Sequence, residues 1–144
     1  MQVKIAQTNE EIAGCFPVIT QLRPHLVAEE FVDRVRRMQR SGYLLAYLIA
    51  TERGKERVKA VAGYRLLDQL LRGNVLYVDD LVTDEASRSQ GYGDHLFDWL
   101  LAEARRQNCG FLELDSGVHR GDAHRFYFRK RMKIACYHFF IPVE

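Results

Sequence analysis

The chain has 144 residues, 47% of them hydrophobic, and a formal net charge of +2. That length fits one domain with a substantial core that needs no metal or disulfide, and the composition excludes a disordered chain. A charge this small does not argue for nucleic acid, and no apolar segment approaches the length that spans a bilayer.

The elements are predicted in chain order as follows. Val3–Ala6 is a short strand. Thr8 and Glu11 have the spacing of a capping box, so a helix begins near Asn9 with Ile12, Phe16 and Ile19 on one face. Pro17 is a possible kink, and Pro24 ends this helix or follows its end. A second helix runs from about Ala28 to Ser41. Glu29 and Glu30 suit its positive end, Arg37 and Arg40 suit its negative end, and Phe31, Val35 and Met38 form its buried stripe. Tyr43–Thr51 and Val58–Leu67 are strands joined by a hairpin at Glu52-Arg53-Gly54-Lys55. Gly63, inside the second of them, points to a bulge or a close approach. After a turn at Leu70–Gly73, Val75–Thr83 is a strand, Gly91 to about Gln107 a long helix, and Phe111–Asp115 a further strand. The long helix has an apolar face of Gly93, Leu96, Phe97, Leu100, Leu101 and Ala104. Asp122 is placed to cap a short helix reaching about Lys130, and Ile134–Ile141 reads as a closing strand that Pro142 stops.

The resulting order, β-α-α-β-β-β-α-β-α-β, is that of a single α/β domain. Early hairpins make antiparallel neighbours. The β-α-β after Val75 makes a parallel pair, so the sheet is mixed and has helices on both faces.

The stretch from Asp79 to Leu101 organises the rest. Arg88-Ser89-Gln90-Gly91-Tyr92-Gly93 joins a strand end to a helix start. Two glycines spaced by one residue permit close backbone approach and unusual torsions. The helix start adds N–H groups and a positive dipole end, and Arg88 adds a full charge, so the joint suits a phosphate. It is no Walker loop, because no Gly-Lys-Ser/Thr follows. It is no dinucleotide fingerprint either, because Leu96 stands where a third glycine belongs and Asp84–Gln90 intervenes after the strand.

The pattern Arg-x-x-Gly-x-Gly, after a strand ending Leu-Val-Thr-Asp, resembles the pyrophosphate loop of the GNAT superfamily of N-acetyltransferases, without a gap from Asp79 to Leu96. The resemblance implies the fold of that family, with Val75–Thr83 and Phe111–Asp115 as splayed parallel strands that admit pantetheine. It also implies acetyl transfer from acetyl-CoA to an amine, with no metal. Cofactor contacts then fall to Leu81, Val82, Thr83, Arg88, Ser89, Gln90, Gly91, Tyr92, Gly93 and Asp122, and a backbone N–H near Leu81 polarises the thioester. Relatives often carry glutamate at the position of Asp79, which is accordingly read as the base acting through water, or as an anchor for the substrate ammonium. Strand alternation puts Tyr77, Asp79, Leu81 and Thr83 on one face and Asp80 on the other. The segment from Asp122 to Met132 resembles the family's late helix and makes Tyr127 the acid for the leaving thiolate; a core aromatic beside Phe126 is the plain alternative. Arg120 stands where relatives often have asparagine, and Arg131-Met132 stand in place of Gly-Phe.

The acceptor is read as a small-molecule amine, bound around Leu22–Phe31. Glu29 and Glu30 there attract a cation or merely suit a helix start. A protein or peptide acceptor, a longer acyl-CoA, and a non-catalytic acyl-CoA sensor fit the same residues. The histidines show no metal-ligand spacing. Cys15, Cys109 and Cys136 are scattered, and the segment MQVKIAQ lacks the apolar run of a signal peptide, so reduced thiols and a cytoplasmic location are expected. A homodimer is compatible with the resemblance. Neither a nucleic-acid nor a membrane partner is expected.

Overall fold

The computed structural model describes residues 1–144 as two compact units, 1–113 and 114–144. In the first unit the elements are β1 (Gln2–Ile5), α1 (Asn9–Leu22), α2 (Ala28–Gln39), β2 (Leu44–Glu52), β3 (Lys55–Gln69), β4 (Gly73–Thr83), a 3-10 turn at Glu85–Ser87 and α3 (Tyr92–Arg106). β5 (Phe111–Leu114) ends the sheet, whose spatial order is β1-β2-β3-β4-β5.

The turns follow from local chemistry. Thr8 and Glu11 form the predicted capping box, each side chain bonding the other's backbone N–H. The Tyr47 hydroxyl and two backbone N–H groups then hold the Glu11 carboxylate down to about 2. Pro17 lies within α1 on its exposed side, where water can take the carbonyl that its missing N–H leaves unpaired. Glu52 pairs with Lys55 across a two-residue turn whose Arg53 and Gly54 have φ of +51° and +77°. Positive φ at both positions matches the twist of the strands it joins.

β1 to β4 pair antiparallel in sequence. At the far edge the Gly110 N–H donates to the Asn74 carbonyl at 2.9 Å, so β4 and β5 begin side by side. They therefore run parallel, joined by the crossover through α3, and the sheet is mixed as expected. Two apolar layers flank it. One joins Ile12, Cys15, Val18 and Ile19 of α1 and Phe31 and Val35 of α2 to Leu45, Tyr47, Ile49, Val61 and Val82 of the sheet. On the other side α3 buries Leu96, Phe97, Leu100 and Ala104, and Trp99 meets Tyr64 edge-on at 6.2 Å. Burial in the first layer pushes the Cys15 thiol up to about 12, so it packs as a small apolar group.

Alternation along β4 does not hold as the sequence pattern predicts. Gly63 pairs with Asp80 and Tyr64 with Val78, which leaves Asp79 without a Cα partner. This is a β-bulge, and it resets which face each following side chain takes. Gly63 is its counterpart on β3. A Cβ at 63 would overlap the Tyr43 hydroxyl and approach Asp80 Oδ2 to 2.7 Å.

In the second unit α4 spans Gly121–Arg129. Asp122 is not its cap; Arg120 takes that position, and the Asp122 carboxylate pairs instead with Arg125 one turn along. The predicted closing strand Ile134–Ile141 does not form, and Ile134, Tyr137, Phe139, Phe140 and Ile141 are exposed. Apolar residues supply a face for a strand, but a strand persists only where its N–H and C=O groups find a neighbouring ladder. His138 Nδ1 lies 3.2 Å from Asp115 Oδ2.

Gly63→Ala should destabilise the fold by about 2 kcal/mol, the cost of forcing a methyl into a filled space. Urea denaturation would measure it, and a midpoint equal to wild type would mean that Tyr43 has room to move.

Candidate active site

The loop after β4 carries the strongest local departure from regular backbone. Ser89 and Gly91 both adopt left-handed torsions, with φ of +66° and +84°. Space is open where a side chain at 91 would stand. Gly91 is the N-cap of α3, and no side chain caps that helix. Successive backbone N–H groups beside a left-handed residue, at a positive dipole end, form a concavity suited to an anion. Arg88, Ser89 and Gln90 are exposed around it, and Tyr92 and Gly93 are half-buried. Backbone torsions, not side chains, shape this concavity.

Ties that sequence reading missed hold the loop. Lys59 is buried, and its Nζ contacts Glu52 Oε2 at 2.6 Å and Ser87 Oγ at 3.1 Å. Its carbonyl accepts from the Asp84 N–H at 2.8 Å. From the other side Gln21 donates to Asp84 Oδ1 and accepts from the Glu85 N–H, each at 2.9 Å. The end of α1 and the middle of β3 thus fix the segment that enters the cradle. An unpaired register position at Lys59, between Val58 and Ala60, was the available clue, but it exists only in the paired sheet.

Along β4, Val82 is buried and Leu81 and Thr83 are half-buried. Asp79 and Asp80 do not serve opposite faces as expected. They belong to one cluster, because the bulge turns both toward Tyr43 and its neighbours. Arg65 Nε donates to Asp79 Oδ2 at 2.7 Å, and its guanidinium lies 5.3 Å from the centre of the Tyr43 ring. The Tyr43 hydroxyl donates to Asp80 Oδ2 at 2.8 Å. Arg23 donates to Asp80 Oδ1 at 3.0 Å and to the Asp79 carbonyl at 3.1 Å. Burial raises the pKa of Asp79 above the ordinary aspartate value, against the opposing pull of Arg65. Burial and the Asp80 charge raise Tyr43 well above the usual phenol value.

Tyr127 lies on α4, half-buried, with Phe126 edge-on at 5.8 Å. Burial raises its phenol above the usual value, and the neighbouring Arg120 charge and hydrogen bond partly counter that. Its surroundings are therefore those of a protonated phenol at neutral pH. Asp122 is exposed. Glu29 and Glu30 are exposed in the first turn of α2, where helix polarity accounts for them.

Residues 5–132 match the model of a family described as the acetyltransferase (GNAT) family. The chain is 34% identical to the uncharacterized N-acetyltransferase YhdJ of Bacillus subtilis over 128 residues, 88% of this chain and 87% of that one. A shorter stretch of 62 residues is 36% identical to the aminoalkylphosphonate N-acetyltransferase of Salmonella typhimurium, covering 43% and 40% of the two chains. Among solved structures, a putative acetyltransferase from Agrobacterium tumefaciens superposes with a TM-score of 0.80 at 23% identity, covering 99% of this chain and 100% of the other.

Proposed function

The chain belongs to the acetyltransferase (GNAT) family and is an N-acetyltransferase, and on that premise we propose that it moves an acetyl group from acetyl-CoA directly to a primary amine of a small molecule in a ternary complex. The observation that carries this reading is the left-handed break at Ser89 and Gly91 ahead of an uncapped α3. The family generally takes acetyl-CoA as co-substrate. Backbone groups of Arg88–Gly93, with the Arg88 charge, would hold its pyrophosphate, and the β4 edge from Leu81 to Thr83 would run beside its pantetheine. Asp122 is assigned a contact to the cofactor by the family resemblance. A backbone N–H near Leu81 aimed at the thioester oxygen would lower the barrier by about 3 kcal/mol.

Asp79 accepts the ammonium proton through water or anchors the ammonium. Its raised pKa narrows the gap to an amine near 10 without closing it, so an intervening water keeps a place in the scheme. Tyr127 supplies a proton or a hydrogen bond to the departing thiolate. A phenol near 10 and a thiol near 8.5 make full transfer uphill by about 2 kcal/mol, and burial of Tyr127 increases that cost while Arg120 reduces it. The acceptor enters around Leu22–Phe31, with Glu29 and Glu30 as exposed negative charges at its rim. The Salmonella relative acts, by its name, on aminoalkylphosphonates, and this makes such compounds the first acceptors to try. No helix is long and apolar enough to cross a membrane, and we place the enzyme, acting as one transferase domain, in the cytoplasm.

Thiol release from acetyl-CoA over an amine panel headed by 2-aminoethylphosphonate tests the reading; binding without turnover on every amine would favour a sensor. Gly91→Asp puts bulk and a negative charge in the cradle and should abolish acetyl-CoA binding by calorimetry; unchanged affinity would remove the cradle assignment. Asp79→Asn should lower turnover about a hundredfold or more if Asp79 is the base. A base works deprotonated, so kcat/KM should fall as pH drops through its raised pKa, and the Asn variant should lose that limb. A change confined to the amine KM would make Asp79 an anchor. Tyr127→Phe keeps the packing and deletes the proton, so a fully active variant would end the acid role.

A further inference from the structure

The cluster around Asp79 contains more than a structural ion pair requires. Asp79 is the bulged residue of β4, so no register partner holds its main chain in line. Side chains add to what holds it. Arg65 Nε grips Oδ2 at 2.7 Å, and Arg23 Nη2 grips the Asp79 carbonyl at 3.1 Å. Arg65 is itself held, because its guanidinium lies over the Tyr43 ring. That ring is buried, and its hydroxyl is tied to Asp80. Asp80 in turn is tied to Arg23. The loop of contacts closes on Asp79 from three places: the residue that ends α1, the residue before β2, and β3. Only Gly63 permits it, since any Cβ there would collide with Tyr43.

We infer that Arg65 is the positioning residue of Asp79, fixing both the direction and the charge state of its carboxylate. The inference rests on the reading of Asp79 given above. Physically, the contact commits one carboxylate oxygen to Arg65 and so sets the direction of the other. The pair is about three-quarters removed from solvent, with side-chain exposures of 28% for Arg65 and 23% for Asp79, so their attraction is screened less than that of a surface pair. Burial and the nearby Asp80 favour the neutral acid, while Arg65 and the more distant Arg23 favour the carboxylate. Tyr43 is the remaining titratable group of the cluster, and its raised pKa keeps it neutral. Without Arg65, burial and Asp80 would raise the Asp79 pKa further, and the carboxylate would lose the contact that fixes its direction.

The test follows Asp79 by its carboxyl 13C resonance during a pH titration of the full chain, which needs neither a known amine nor turnover. Arg65→Gln keeps the length of the side chain and deletes its charge, and should raise the Asp79 midpoint by about one unit, at the low end of what a neighbouring opposite charge contributes. Arg65→Lys keeps the charge but loses the fork, and should give a smaller rise. Arg23→Gln, which touches Asp79 only through its carbonyl, should move the midpoint less than Arg65→Gln. An unmoved or lowered midpoint in Arg65→Gln, or a larger rise in Arg23→Gln, would overturn the inference. Should Arg65→Gln not fold, an unmoved midpoint in Arg65→Lys would overturn it equally. These results are separable from the assignment of Asp79: full turnover in Asp79→Asn removes Asp79 from the chemistry but leaves the titration intact, whereas a failed titration leaves turnover untouched.

Discussion

A missing methyl organises the polar centre of this protein. Because residue 63 has no Cβ, the Tyr43 hydroxyl rests directly over the β3 backbone and reaches the Asp80 carboxylate. The same glycine stands where the β3–β4 register slips, and the slip places Asp79 out of line with its neighbours. A regular ladder would have sent Asp79 and Asp80 to opposite faces. The bulge instead delivers both to a single constellation with two arginines. Stability is a poor explanation for it. Partly exposed ion pairs contribute little, and a carboxylate whose pKa is raised by burial costs the fold something at neutral pH. What such a constellation supplies is a fixed carboxylate.

The cradle before α3 is supported in a comparable way, from behind. Its own residues are mostly exposed, and two of them adopt left-handed torsions. Left-handed backbone at a non-glycine residue such as Ser89 is uphill and persists only where the surroundings hold it. The surroundings here are the buried Lys59, which reaches Ser87, and Gln21, which brackets Asp84 and Glu85. Gln21 and Arg23 lie at the end of α1, so one short stretch of chain contacts both the approach to the cradle and the aspartates of β4. The places proposed for the cofactor pyrophosphate and for the base or ammonium anchor thus share the end of α1 as a scaffold.

Signals confined to a few residues were readable in advance. The Thr8–Glu11 box, the Arg53-Gly54 turn, the apolar stripes of the helices and the glycine pair at the start of α3 all act through neighbours close in the chain. The parallel β4–β5 pair follows from the helix between them, since only a crossover can return the chain to run in the same direction. Two expectations fail for different reasons. Asp122 suits a cap, but Arg120 takes that position and the Asp122 carboxylate pairs with Arg125 three residues along. Ile134–Ile141 has the composition of a strand and no ladder to join.

The order of elements as far as α4, the mixed sheet and the left-handed break ahead of α3 therefore follow from the chain's local grammar: torsional preference, helical periodicity and dipole direction each act over a few bonds. The environment of Asp79 does not. Arg23, Tyr43, Gly63 and Arg65 carry no motif, and they are separated from Asp79 by 14 to 56 positions wherever a hydrogen bond joins them to it. Their convergence depends on a one-residue slip between two strands and on the space left by an absent side chain, and both come into being only when the sheet and its covering helix pack together.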